Sequence, residues 1–151
     1  MEETREKARR LGLSPEEYVL EALFRELDPP ARARGYIEAA EHLLDQAEEE
    51  LKTGDVRQAA EKVWGAAALA VKAYAEWREG RRLASHRELW EYKSVLEEEL
   101  GGWVYDVWMA AQGMHTCFYE GWCTRSDVEE ALRRVRRLVK AVGEALGRTW
   151  G

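Results

Sequence analysis

The amino-acid sequence predicts an all-α protein. The chain has 151 residues with only three prolines, and 46% of it is hydrophobic while 34% is charged. Ala, Leu, Glu, Arg and Lys, which favour helices, dominate long stretches of it. Apolar residues recur at helical spacing, and helix-capping residues separate the apolar segments. A chain of this length is sufficient for one hydrophobic core of ordinary domain size.

Residues that begin helices mark the boundaries. Asp28 stands before Pro29, which combines an N-cap acid with a first-turn proline. Asp55 follows Gly54 and precedes Gln58 by three residues, which indicates the end of one helix and the start of the next. Further capping boxes are predicted at Ser14 with Glu17, at Ser85 with Glu88 and at Ser126 with Glu129. These signals predict helices near residues 3–11, 15–27, 30–52, 56–79, 86–100, 102–121 and 127–147.

The short connections between the helices predict how they are arranged. Consecutive helices joined in this way run antiparallel, so we expect an up-and-down bundle of four to five core helices. Pro29 and Pro30 interrupt the chain before the first long helix. Residues 1–28 are therefore predicted to be an extra N-terminal helical segment, and residues 29–151 the bundle itself.

Apolar stripes predict which faces of the helices are buried. One stripe consists of Tyr36, Ala40, Leu43, Leu44, Ala47 and Leu51, and the stripe of the last helix consists of Val128, Leu132, Val135, Leu138, Val139 and Val142. The helix near 56–79 differs, because apolar residues lie on two of its sides. Ala59, Val63, Ala66, Ala70, Tyr74 and Trp77 share one side, while Trp64, Ala68 and Ala75 lie opposite, beside Glu61 and Lys72. Such a helix is expected either at the centre of the bundle or in a self-association surface.

Composition limits the class of protein. The net charge of −6 argues against a general coating of nucleic acid, and the sequence contains no asparagine, which is typical of proteins from hot environments. The apolar runs are too short to span a membrane, and MEETREKARR lacks the apolar stretch of a secretory signal. Cys117 and Cys123 form no CxxC pair, so the sequence predicts neither a disulfide framework nor a zinc site. We therefore expect a cytoplasmic protein without a metal or another cofactor.

One histidine lies in the middle of an apolar, aromatic segment, AAQGMHTCFYEGW at residues 110–122. Helical spacing places His115 on the same arc as Val107, Ala111 and Met114, so its side chain is predicted to point inward. A buried imidazole needs polar partners, and Glu61, His86 and Tyr119 are the candidates. Two interpretations remain open: a satisfied core histidine, or a residue that transfers protons or binds a ligand.

Two further groups of residues could contact phosphate. Arg81 and Arg82 precede His86, which directly follows the predicted cap at Ser85. The last segment, residues 124–151, contains seven Arg or Lys against four Asp or Glu. Its arginines and lysine on one face are Arg133, Arg137 and Lys140, with Arg134, Arg136 and Arg148 nearby. Both groups could equally be ordinary solvated surface.

The sequence resembles HEPN domains. The resemblance begins with YIEAAEHLLDQAEEELKTGDVRQAAEKVWGAAALAVKAYAE at residues 36–76, where two helices flank a Gly-Asp turn. SHREL at residues 85–89 and MHTCFYEGW at residues 114–122 make it most similar to the archaeal PaREP branch of that superfamily. The resemblance extends over about residues 28–142. It implies a bundle of four or five helices that assembles as a homodimer.

The resemblance also implies a range of functions. Many HEPN proteins are metal-independent ribonucleases, in which an arginine followed four to six residues later by a histidine supplies acid–base chemistry and charge stabilisation. Others serve as RNA-binding, toxin-antitoxin or nucleotidyltransferase-partner modules. The residues that match the family motifs here are Glu61, Lys62, Trp64, Lys72, His86, His115, Phe118, Tyr119 and Glu120.

The sequence departs from the nuclease pattern. No arginine lies in the expected window before His115, and Cys117 stands where the related HxNFYE segment has asparagine. Arg81 and His86 have the required spacing but precede a different helix. The leading hypothesis is therefore a dimeric module that binds RNA, a nucleotide or a protein partner. One alternative is a metal-independent ribonuclease with Arg81, His86 and His115 as catalytic residues, and the other is a structural interaction module built around Trp64. The expected binding residues are Glu61, Lys62, Trp64, Lys72, Arg82, Tyr119, Glu120, Arg133 and Arg137.

Overall fold

The computed structural model describes residues 2–11 and 15–147. The all-α prediction is confirmed, since 85% of the structure is helical and the described residues contain no strand. The helices are α1 (Glu2–Leu11), α2 (Pro15–Phe24), α3 (Pro29–Lys52), α4 (Val56–Glu79), α5 (His86–Leu100), α6 (Trp103–Glu120) and α7 (Arg125–Ala145). None of these helices is both long enough and apolar enough to cross a membrane.

Helix α4 lies at the centre of the bundle. It packs against α3 on one side and against α5, α6 and α7 on the others, and α2 also reaches it. From residue 59 to residue 76 only Lys62 is not buried. Small side chains permit this close packing, and at Gly65 a methyl group would already lie 3.2 Å from Leu43. Of the two sequence-based possibilities for this helix, the structure therefore shows the centre of the bundle.

Contacts near the helix ends show the antiparallel order of α3, α4, α6 and α7. Arg125 at the start of α7 donates to the carbonyl of Leu51 near the end of α3. Arg57 at the start of α4 donates to the carbonyl of Phe118 near the end of α6. The four helix ends therefore meet at one end of the bundle, as the short connections predict.

Helix α5 begins beside the middle of α4, and this position creates the candidate site. Gly80 ends α4 in the left-handed region at φ 65°, which a glycine adopts without strain. The segment 81–85 then runs back along α4 until Ser85 caps α5 by accepting the backbone N–H of Glu88. As a result, the ring of His86 lies 5.3 Å from the ring of Trp64.

Most of the predicted caps are confirmed. Asp28, Asp55 and Ser85 are N-caps of α3, α4 and α5, and each side chain accepts a backbone N–H of the first turn. The predicted box at Ser126 with Glu129 is wrong, because Thr124 and Asp127 form a reciprocal capping box and α7 begins two residues earlier. Helix α2 ends at Phe24 rather than at residue 27. Ser14 and Arg148 lie outside the described residues.

The N-terminal hairpin of α1 and α2 docks against the bundle through α2. Phe24 packs edge-on against Tyr36 at 5.3 Å between ring centroids. Gly35 makes room for this ring, since a methyl group there would lie 2.7 Å from Phe24. One turn earlier, Glu21 projects into the bundle and contacts Lys72, Arg82 and Tyr36. The hairpin is therefore held by an aromatic contact and by a buried ionic cluster.

Candidate functional site

Three helices together form a histidine–tryptophan cluster. It consists of Glu61 and Trp64 on α4, His86 and Trp90 on α5, and Trp108, His115 and Tyr119 on α6. Trp64 is at its centre, because its ring lies 5.0–5.3 Å from the rings of His86, Trp108 and His115. Trp64 and Trp108 form the buried side of the cluster. Tyr119, which is 57% exposed, forms its surface side.

His115 and Glu61 form a hydrogen-bonded pair. Nδ1 of His115 lies 3.1 Å from Oε1 of Glu61, and the side chains are 19% and 8% exposed. The predicted inward orientation and polar partner of His115 are therefore confirmed. Because a carboxylate only accepts, this contact places the imidazole proton on Nδ1 and leaves Nε2 as an acceptor in the neutral ring. Within the described part of the chain, no protein group bonds to that Nε2.

His86 stacks on His115 with 5.8 Å between ring centroids. Its Nε2 accepts the indole N–H of Trp90 at 3.1 Å, and the same N–H reaches Oε1 of Gln112 at 3.3 Å. Trp90 was not among the predicted site residues. The i, i+4 spacing of His86 and Trp90 on a helix was the available signal, since residues so placed lie side by side.

Tyr119 is the exposed edge of the cluster. Its ring meets that of His115 edge-on at 5.3 Å. Partial burial and the negative charge of Glu61 raise the pKa of Tyr119, while the positive charge of Arg9 opposes the shift. The hydroxyl therefore stays protonated at neutral pH and can donate a hydrogen bond. Glu120 follows as an exposed residue at the end of α6.

The structure does not bring Arg81 and Arg82 to the two imidazoles. Arg81 lies over the ring of Tyr92 at 5.5 Å and is 3.8 Å from the carboxylate of Glu88. Arg82 donates to Glu21 at 2.7 and 2.9 Å. Both guanidinium groups therefore contact protein side chains outside the histidine–tryptophan cluster.

The remaining predicted residues lie on α4 and on α7. Lys62 pairs with Glu50 at 3.0 Å, and Lys72 is buried and pairs with Glu21 at 2.8 Å. Trp64 is fully buried, so it cannot itself form an exposed partner surface on this chain. Arg133 and Arg137 lie on the exposed side of α7, where they line a pocket together with Arg134, Trp103, Asp106 and Val107.

The spacing of the two cysteines does not predict a disulfide, but the structure contains one. Cys117 and Cys123 form a disulfide with 5.7 Å between their Cα atoms. Gly121 ends α6 with φ 67°, and this left-handed residue turns the chain so that Cys123 returns to the last turn of the helix. The absence of a CxxC spacing was a poor guide, because a helix end can bring together cysteines six residues apart. The bond restrains the segment that carries His115 and Tyr119.

Breaking this disulfide should destabilise the protein by about 2 kcal/mol, because it removes a short covalent loop that limits the unfolded chain. We expect Cys123→Ser to lower the melting temperature, and a reducing agent to lower that of the wild type to the same degree. Reductant added to Cys123→Ser serves as the control and should have no effect. Equal melting temperatures of the wild type with and without reductant would contradict the prediction.

The fold and the site define an all-α bundle with a half-buried histidine–tryptophan cluster at the junction of three helices. The chain belongs to the archaeal PaREP1/PaREP8 family, whose model matches residues 35–139. The match includes α4, α5 and α6 and therefore the whole cluster, whereas α1 and α2 precede it. A crystal structure of a Sulfolobus solfataricus protein is similar, with 26% identity and a TM-score of 0.63 over 72% of this chain and 96% of that chain. No curated protein matches the chain.

Proposed function

We propose that this protein is a HEPN-like module that binds single-stranded RNA or a nucleotide at the surface of the histidine–tryptophan cluster. The observation that carries the proposal is the pairing of His115 with Glu61 beside the exposed ring of Tyr119. Nε2 of His115 is an acceptor for a base or ribose hydroxyl, and Tyr119 offers both a π face and a hydroxyl donor. Unpaired bases are recognised by such combinations of stacking and edge hydrogen bonds.

The arrangement of the arginines supports binding rather than cleavage. A HEPN nuclease site needs an arginine beside the histidine to stabilise developing negative charge. Here Arg81 is held by Glu88 and Tyr92, and Arg82 is held by Glu21. The proposal is therefore a binding module without a complete nuclease motif, which acts in the cytoplasm as a homodimer or beside a nucleotidyltransferase-type partner.

The test measures binding of a labelled, mixed-sequence single-stranded RNA by fluorescence anisotropy in EDTA. Tyr119→Ala should weaken binding about tenfold, which corresponds to the loss of one stacked base. His115→Ala should weaken it to a similar degree through the lost hydrogen bond. His42→Ala is the matched control, because His42 is an exposed histidine on α3, and it should bind RNA like the wild type.

Two results would contradict the proposal. The first is a wild type that binds neither the RNA nor a set of mononucleotides. The second is unchanged affinity in both Tyr119→Ala and His115→Ala. Circular dichroism of each variant shows whether the fold is intact, and sedimentation of the same samples measures the proposed dimer.

A second candidate function is metal-independent RNA cleavage, and one observation favours it. The two imidazoles stack at 5.8 Å, and one of them is oriented by a carboxylate, so one could accept a proton while the other donates one. The same RNA samples, run on a denaturing gel, distinguish the two functions. Cleavage by the wild type that is lost in His86→Ala and in His115→Ala would establish the ribonuclease. Intact RNA at saturating protein would leave the binding module.

A further inference from the structure

A second polar site lies away from the histidine–tryptophan cluster, between α6 and α7. The arginine pocket is lined by Trp103, Asp106 and Val107 from the first turns of α6 and by Arg133, Arg134 and Arg137 from α7. Its volume is about 250 Å³, enough for a small polar group of a ligand. Three guanidinium groups therefore face one concave space beside the start of a helix.

Arg137 is the residue best prepared for a ligand. Its guanidinium carbon lies 4.0 Å from the centroid of the Trp103 ring, so the planar group is stacked on the indole. The indole is itself fixed, because its N–H donates to the carbonyl of Leu100 at 3.0 Å. In the described part of the chain, no carboxylate lies within ion-pair distance of Arg137. A preorganised guanidinium with its donors unused is a suitable anion ligand.

The charges around the arginine pocket favour a negatively charged group. Arg133 and Arg134 share a single carboxylate, that of Glu130, and Asp106 adds one more at the wall. Guanidinium groups therefore outnumber carboxylates three to two. The N-cap of α6 is Gly102, which provides no side-chain cap, so the positive end of the helix dipole adds to the same field.

We infer that the arginine pocket binds a terminal phosphate of the RNA or nucleotide that the histidine–tryptophan cluster holds. This inference rests on the proposed function. A terminal phosphate carries a charge of about −2 and three unesterified oxygens, whereas an internal phosphodiester carries one negative charge and two such oxygens, so three guanidinium groups bind the end of a strand more tightly than its interior. Trp103 and His115 are twelve residues apart on α6, which is about 18 Å along the helix axis. The two residues are also about 120° apart around α6, so a strand that connects the two sites must turn around the helix, across the side that carries the exposed Tyr105 and Met109.

The test is a competition experiment with an internally labelled RNA bound to the full-length protein. The unlabelled competitors are the same short RNA with a 5′-phosphate, with a 3′-phosphate, or with hydroxyl groups at both ends. One phosphorylated form should compete about tenfold better than the hydroxyl form against wild type. Arg137→Gln should abolish this advantage, so that the phosphorylated and hydroxyl forms compete equally against this variant. Asp106→Asn should increase the advantage, because it removes a negative charge from the wall of the arginine pocket.

The controls separate this inference from the proposed function. Arg87→Gln removes a charge from an exposed residue on α5 and should keep the full advantage of the phosphorylated RNA. Equal competition by all three RNAs against wild type would overturn the inference and leave RNA binding intact. Failure of every RNA and of a set of mononucleotides to bind would overturn the proposed function. In that case we follow the indole N–H resonance of Trp103 by NMR while inorganic phosphate is added. A chemical-shift change that occurs in wild type and is absent in Arg137→Gln supports phosphate binding in the arginine pocket. No change in wild type overturns the inference.

Discussion

Replacing Trp64 with alanine should lower the free energy of unfolding by about 3–5 kcal/mol. Trp64 is fully buried, and its ring contacts the rings of His86, Trp108 and His115. The truncation leaves a cavity bordered by three helices. The backbone of α4 cannot move to fill it, since the opposite face of α4 is packed against α3. Chemical denaturation followed by circular dichroism measures the loss.

Trp77 offers a matched control on the same helix. It lies in the last turn of α4 with 43% of its surface exposed, so Trp77→Ala should destabilise the protein far less. Trp64→Phe should fall between the two, because it keeps an aromatic ring and removes a buried indole N–H that has no hydrogen-bond partner among the described residues. Equal destabilisation by Trp64→Ala and Trp77→Ala would contradict the importance given to the cluster.

Replacing Trp64 should also disturb the proposed RNA site. The indole of Trp64 packs against the imidazoles of His86 and His115. Its removal therefore frees both rings to adopt other rotamers. We therefore expect Trp64→Ala to weaken RNA binding even under conditions where the variant is folded.

The fold was predictable because its signals are local. A cap such as Asp28 or Ser85 acts on the backbone three residues away, and a stripe such as Leu43, Leu44 and Ala47 is visible within two turns. The errors arose where two local signals compete. Thr124 and Ser126 both have the side-chain oxygen of an N-cap, and Thr124 is the cap in the structure, where Asp127 completes its capping box.

The site was predictable only in part, because its contacts connect residues far apart in the chain. The inward orientation of His115 follows from helical spacing, but its choice of Glu61 depends on how α6 packs against α4. The positions of Arg81 and Arg82 depend on carboxylates in α2 and α5, which no spacing rule brings near. Glu21 was not a candidate for the same reason, although its carboxylate contacts Lys72, Arg82 and Tyr36.

The hairpin of α1 and α2 docks onto residues that lie within the range matched by the family model. Lys72, Arg82 and Tyr36 all lie within the matched range, whereas Glu21 precedes it. Lys72 and Arg82 therefore pair with a carboxylate that lies outside the range matched by the family model. Without the hairpin, Lys72 would lose the carboxylate of Glu21. This loss is costly because Lys72 is only 1% exposed in the described structure.

Replacing Glu21 with glutamine should therefore destabilise the protein by about 3 kcal/mol at neutral pH, because it removes the carboxylate that pairs with the buried Lys72 and with the partly exposed Arg82. The substitution keeps the size of the side chain, so packing is nearly unchanged. Urea unfolding at pH 7 measures the effect, and limited proteolysis shows whether the hairpin detaches first. Glu49→Gln is the control, since Glu49 pairs with Lys52 on the exposed surface and should change nothing measurable.

The effect of Glu21→Gln should also depend on pH in one direction. Burial alone would raise the pKa of Glu21, but the charges and hydrogen bonds of Lys72 and Arg82 outweigh it and hold the pKa below its ordinary value of 4.5. The unfolded chain therefore takes up this proton at a higher pH than the folded protein does. The stability that the carboxylate supplies is complete above the ordinary pKa and is lost as the pH falls through the lower folded value. Wild type and Glu21→Gln should thus converge in stability in acid, and a constant difference from pH 7 to pH 3 would contradict the role assigned to this ion pair.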